Sequence, residues 1–331
     1  MQNSRNVATV EFSARTAILS FFLCATALSF SACAPRSDKI NETRYTKDVD
    51  SAFAVYQQGD CSRSAALFSD LLKQAETPSA LQGLGLSFAA CGESESALLA
   101  FKKAAALAPG VAEFRVNYAQ TLFALGDREE AGVQYDAALS IDPGNVEASM
   151  GKAAVYLQSG KTEEALPILS RLQQRRPDMP QVQFNRAIAM YQLGLYTDAE
   201  MILSGFLQQW PDDPEAWNAF GVVHLGMNEA QKALADFSRA IELNANSASY
   251  YFNRGDSYRS LKKLQEAKDD YTRSILYATE PAGAYLNRGE VRFLLGEKEE
   301  ACVDLQRACD LGLCERLEYY RKAGQCRNSS L

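Results

Sequence analysis

The chain has 331 residues, 47% hydrophobic and 23% charged, a balance with ample apolar material for a large core. A formal net charge of −7 argues against a nucleic-acid binder, which needs a basic face. One histidine, His224, leaves little room for imidazole catalysis or a histidine-rich metal site, and neither metal nor cofactor is expected.

In chain order, Arg5 and Arg15 precede an uncharged apolar stretch at 17–30, which small residues follow. This is the layout of a secretory signal, expected over 1–32. The apolar run, about 14 residues, is too short for a mature membrane helix, which needs ~20. Its ending, Phe30-Ser31-Ala32-Cys33, resembles a bacterial lipobox, with Phe30 where Leu is usual. The resemblance implies cleavage before Cys33 and lipidation of that residue. Three acyl chains would hold a membrane firmly where one would not. Ala34 stands where an Asp would favour the inner membrane, so the outer membrane is the expected address. An ordinary cleaved signal, with Cys24 and Cys33 as bystanders, is the alternative. Residues 33–47 then read as the lipidated Cys and a polar tether, too poor in apolar groups to bury a core.

A repeat with a period of 34 occupies 78–312. Ala recurs at 97, 131, 165, 199, 233, 267 and 301, and Gly at 92, 126, 160, 194 and 296, with Asn228 and Lys262 the departures. Pro stands at 109, 143, 177 and 211, and Phe or Tyr at 101, 135, 237 and 271. Within each unit apolar residues fall three and four apart in two runs, so each unit predicts two helices and a turn. The Gly suits a left-handed turn. The Ala lets two helices approach, and the aromatic four residues later fills the space beside it. The Gly of Asn253-Arg254-Gly255, repeated at Asn287-Arg288-Gly289, reads as a close-packing position inside a first helix. That placement removes Arg254-Gly255-Asp256 as a loop adhesion motif. Residues 48–77 form a weaker first unit: Gly59, Phe68 and Leu71 fit, Ser64 replaces the Ala, and the unit is one residue short.

These residues resemble the tetratricopeptide repeat (TPR), best at Trp217, Gly221, Ala233, Phe237 and Ala240. The resemblance implies an all-α fold: an α-solenoid, a right-handed superhelix of about eight helix-turn-helix units, closed by a capping helix in 313–331. Such arrays bind peptide segments on the face made by the first helix of each unit. Asn117, Asn185, Asn253 and Asn287 share one position there, where a side-chain amide offers donor and acceptor to a ligand backbone. Phe184, Ile188, Tyr191, Val222 and Leu225 are expected to line the same face. The competing reading makes the Asn residues bonds between helices and the apolar set core. Arg186, Arg254 and Arg288 either meet a ligand carboxylate or, more in keeping with their place between helices, pair with acids such as Asp256 or Glu290. His224 sits where the repeat usually has an aromatic, so a packed histidine is expected there.

Six cysteines remain after Cys24 and Cys33: Cys61, Cys91, Cys302, Cys309, Cys314 and Cys326. An even number in an exported chain suggests disulfides. Cys61 with Cys91 would staple the first two units. Around Gly312, a nested pairing of Cys309 with Cys314 and Cys302 with Cys326 fits an antiparallel hairpin, with Cys314–Cys326 the competitor. No CxxC pair supports a thiolate zinc site.

No nucleophile–His–acid set or phosphate loop is present, so an enzyme is not expected, nor a small-molecule substrate. The implied function is a lipid-anchored scaffold in the bacterial envelope, on the periplasmic side of the outer membrane, with protein or peptide partners. TPR lipoproteins of similar layout serve pilus assembly, outer-membrane biogenesis or peptidoglycan control. A recruiting subunit of an envelope enzyme and a lipid-free periplasmic adaptor are the alternatives.

Overall fold

A computed structural model of the chain describes residues 42–326. The expected signal, Cys33 and most of the tether lie outside the described residues. Among the described residues there are seventeen helices and no strand. None is long and apolar enough to cross a membrane. The chain divides into two compact units, with the boundary between Val182 and Gln183.

In the first unit, hairpins form from α1 (Glu42–Gln57) and α2 (Cys61–Gln74), α3 (Pro78–Ala90) and α4 (Ser94–Leu107), α5 (Ala112–Ala124) and α6 (Arg128–Ile141), and α7 (Val146–Gln158) and α8 (Thr162–Arg175). Helix α9 (Pro180–Gln192) carries the boundary near its start. The second unit continues with α10 (Tyr196–Gln209), α11 (Pro214–Gly226), α12 (Ala230–Leu243), α13 (Ala248–Ser260), α14 (Leu264–Tyr277), α15 (Ala282–Leu295), α16 (Lys298–Asp310) and α17 (Glu315–Lys322). Within each unit helices pack on their neighbours in sequence, so each hairpin buries its apolar face against the next.

The periodic residues explain the hairpins. All seven recurring alanines are fully buried. The turn glycines have positive φ, 81° at Gly92 and 89° at Gly126 for example. At the two departures the backbone keeps that conformation without glycine, with φ 61° at Asn228 and 59° at Lys262. Asn tolerates this region, whereas Lys adopts it at a steric cost.

One difference from the sequence reading concerns the first end. The tether was expected to run to residue 47, but α1 begins at Glu42. Its first turns are tied down by Tyr45, which reaches the link between the first two hairpins: its hydroxyl donates to the Ala75 carbonyl at 3.0 Å and lies 3.0 Å from Thr77 Oγ1. Ser64, at the place of the recurring Ala, is fully buried and keeps its hydroxyl satisfied by Ser87 Oγ at 2.7 Å and the Ala52 carbonyl at 3.3 Å. At the other end α17 covers the last hairpin through buried Leu317, and Tyr320 stacks on Phe293 with ring centroids 4.0 Å apart.

Disulfides staple both termini. Cys61 joins Cys91, with Cα atoms 5.6 Å apart. Cys302 joins Cys326, Cα atoms 5.6 Å apart, outside Cys309–Cys314 at 4.0 Å. The nested arrangement is therefore the one present.

Candidate functional site: the first-helix face

The four equivalent asparagines divide into two kinds. Asn253 on α13 is buried, and its amide donates to Asn218 Oδ1 on α11 at 2.9 Å. Asn287 on α15 donates to Asp256 Oδ1 on α13 at 3.1 Å, an oxygen that also accepts from the Tyr271 hydroxyl at 2.6 Å. These two tie one hairpin to the preceding one. In the first unit Asn117 on α5 is half-buried, and only its main-chain carbonyl is engaged, by the Thr121 hydroxyl at 2.8 Å. Asn185 on α9 is likewise half-buried. Neither side-chain amide has a hydrogen-bond partner among the described residues.

The arginines divide at the same point. Arg254 grips both carboxylate oxygens of Asp270, at 2.7 and 2.9 Å, and donates to Ser238 Oγ at 3.2 Å. Arg288 holds Asp304 in the same way, at 2.8 and 2.7 Å, with Thr272 Oγ1 at 3.0 Å. The expected partners, Asp256 and Glu290, are not used. A hairpin sets residue i opposite i+16 on the second helix, whereas an acid two residues on points elsewhere around its own helix. Arg254-Gly255-Asp256 thus lies inside α13 with both charged ends engaged. Arg186 has Ile202 in place of the aspartate, and its Nε is buried without a hydrogen-bond partner.

The apolar set is mixed. Val222 does not line an open face. It is buried on α11 against Ala233 and Phe237, because its turn of the helix faces its own hairpin partner. Phe184 leans on Phe206 with centroids 6.0 Å apart, and Tyr191 on Tyr196 at 5.6 Å; both, with Ile188, stay half-buried. Leu225 lines a hollow of about 470 Å³ with Asn228, Glu229, Lys232, Ser260 and Leu261.

A cluster that the periodicity does not reveal lies around His224. This residue is buried, packs on Phe220 with centroids 4.4 Å apart, and contacts Asp236 Oδ2 through Nδ1 at 2.5 Å. Its Nε2 lies 3.4 Å from Glu200 Oε1, and Glu229 completes a group whose candidate ligand atoms all lie within 4.8 Å of one another. Burial pushes Asp236 up to about 6 against the pull of His224.

Comparisons with known proteins decide the family. Two tetratricopeptide-repeat family models match, one at 126–191 and the other at 52–112, 83–146 and 218–281, together more than half of the chain. The chain belongs to the tetratricopeptide repeat family. No curated protein sequence matches it. Among solved structures, a TPR protein from Parabacteroides merdae is similar with a TM-score of 0.65 at 17% identity, over 75% of this chain and 99% of that one. Yeast Tom70 gives 0.60 at 16%, over 92% and 68%. PilF from Pseudomonas aeruginosa gives 0.53 at 18%, over 64% and 97%. At these identities the likeness is one of fold: an all-α TPR solenoid, an architecture that serves as a protein–protein interaction scaffold.

Proposed function

We propose that this TPR protein binds a protein segment carrying a carboxylate, an acidic side chain or a chain end, at Asn185 and Arg186 on α9. The observation that carries the reading is the contrast within the repeat. At 253–254 and 287–288 the Asn-Arg pair is held by the protein's own groups; at 185–186 the arginine lacks the aspartate, and its Nε is buried without a hydrogen-bond partner. An amide can hold a ligand's main chain while an arginine fork holds its carboxylate. Phe184 and Ile188 on the same helix offer apolar anchors, and Asn117 offers a separate amide in the first unit.

The anchor reading belongs to the same proposal. Closed disulfides at both ends suit an oxidising compartment, and a lipid on Cys33 would hold the scaffold at the periplasmic side of the outer membrane. There it would assist assembly of an envelope complex and carry no chemistry of its own.

The test is a crosslinked pull-down from envelopes. Asn185→Ala with Arg186→Ala is expected to lose the partner while keeping the helical circular dichroism signal. Asn253→Ala is expected to lower stability and keep the partner. The same partners at the same yield with the double variant would refute the binding face. Retention of a Cys33→Ser protein in the membrane fraction would refute the anchor.

A further inference from the structure

The geometry points to a divalent transition-metal site of the zinc class, made by His224 Nε2 and the carboxylates of Glu200 and Glu229. Three elements of the second unit supply it. Glu200 is on α10, His224 near the end of α11, and Glu229 in the turn before α12, so an ion there would tie one hairpin to the next.

The argument begins with the ring. His224 is 3% exposed, so its polar atoms must find partners inside the protein. Nδ1 meets Asp236 Oδ2 at 2.5 Å, and Asp236 is itself buried. A carboxylate on one ring nitrogen is the arrangement that fixes a metal-bound imidazole, because it sets the tautomer and aims the other nitrogen's lone pair at the ion. When the ring is neutral with its proton on Nδ1, Nε2 is an acceptor, and the groups before it, Glu200 and Glu229, are acceptors too. A positive charge between them, a ring proton or a metal ion, resolves the conflict, and the ion is the one that can also engage Glu229. The Nε2–Oε1 separation of 3.4 Å matches the edge of a tetrahedron with bonds of ~2.1 Å. Glu229 Oε2 is buried and lacks a hydrogen bond of good geometry.

One cation already competes. Lys232 Nζ is 2.7 Å from Glu229 Oε2, on a side chain 57% exposed. It can swing into solvent when an ion arrives. An imidazole with two carboxylates suits Zn²⁺ over Ca²⁺, which prefers six or more oxygen ligands. Three protein ligands leave one tetrahedral position for water.

The chain has a single histidine, so its ring signals in an NMR spectrum are unambiguous. Untagged protein is titrated with Zn²⁺ while those signals are followed. One equivalent of Zn²⁺ is expected to move Nε2 to a metal-bound shift, and Ca²⁺ to leave it in place. Asp236→Asn is expected to weaken Zn²⁺ binding by ~10- to 100-fold. Glu229→Gln, which alters a ligand carboxylate, is expected to weaken it further, and Lys232→Ala to tighten it. Ring signals unmoved by millimolar Zn²⁺, an equal response to Ca²⁺, or unchanged affinity in Glu200→Gln with Glu229→Gln would each overturn the site.

Discussion

The fit of one tyrosine between two hairpins makes a prediction whose sign can be reversed. Tyr135, on α6, is 2% exposed. Its hairpin partner α5 presents Ala119, and the next hairpin presents Gly151. A Cβ at Gly151 would fall inside the van der Waals envelope of the Tyr135 ring, with Oη at 2.5 Å and Cζ and Cε1 nearer still. The ring is held on both sides and cannot retreat cheaply. Overpacking of this kind costs about 1–3 kcal/mol, and this contact lies at the upper end. Replacing a helical Gly by Ala returns about 1 kcal/mol of helix propensity. Gly151→Ala is therefore expected to destabilise by about 2 kcal/mol, a fall in Tm of roughly 4–8 °C for a unit of this size. With Leu at 135 the obstruction is gone and only the propensity gain remains. In a Tyr135→Leu background Gly151→Ala is expected to stabilise, by up to about 1 kcal/mol. Thermal melts of the four proteins close the cycle, with a coupling of about 3 kcal/mol. The same sign in both backgrounds would refute the reasoning.

Lys262 holds φ 59°, a conformation that costs an ordinary side chain roughly 1–2 kcal/mol. Lys262→Gly is expected to raise stability by about 1 kcal/mol and Asn228→Gly by much less; equal effects in a melt would contradict the turn argument. Burial, with the Asp213 carboxylate nearby, pushes Glu215 from its ordinary 4.5 up to about 7. The folded state therefore holds that proton more tightly than the unfolded state, so the contribution is full below pH 4.5 and is lost as pH rises through about 7. Melts at stepped pH should show this fall, and Glu215→Gln should flatten it. Opening Cys302–Cys326, which spans a separation of 24 residues, removes about 3 kcal/mol of chain restriction. In the Cys302→Ser, Cys326→Ser protein, amides of α17 should lose hydrogen-exchange protection while those of the first unit keep it; unchanged protection of α17 would show that Leu317 and Tyr320 suffice.

The hairpins were legible because their determinants are local and periodic. A positive-φ glycine, a buried alanine and an aromatic four residues on recur at fixed spacing, and each has a steric reason. A second rule, also in the sequence, links helices. Each aromatic in the second-helix column has a glycine on one flank. Phe68 and Tyr135 have it on the following hairpin, at Gly83 and Gly151; Phe101, Phe237 and Tyr271 have it on their own, at Gly85, Gly221 and Gly255. Among the leucines of the column, Leu169 and Leu203 have Ala153 and Ala187 there, whereas Leu305 has a glycine, Gly289. Side-chain pairings were less legible. Arg254 and Arg288 were matched to acids two residues away, when the hairpin places the partner sixteen residues on. The aspartates at 236, 270 and 304 share the arginines' period, and that signal could have found them. Glu200, His224 and Glu229 carry no such signal, because their meeting depends on how far one second helix reaches toward the next hairpin's turn.

The arginine–aspartate column also explains why both proposed sites fall where they do. In the last two complete hairpins both halves of the pair are present, and the two charges of each pair meet inside the protein. In the hairpin of α9 and α10 the arginine remains and the acid has become Ile202, which leaves Arg186 with unspent hydrogen-bonding capacity. In the hairpin of α11 and α12 the acid remains and the arginine has become Phe220, which leaves Asp236 to take the ring of His224. Each departure removes the pair that the last two hairpins use: Asp236 is paired with His224 instead, and Arg186 Nε is left without a hydrogen bond. The two proposals place an external partner at each of these adjacent repeats: a carboxylate for Arg186, and a cation for the imidazole that Asp236 contacts.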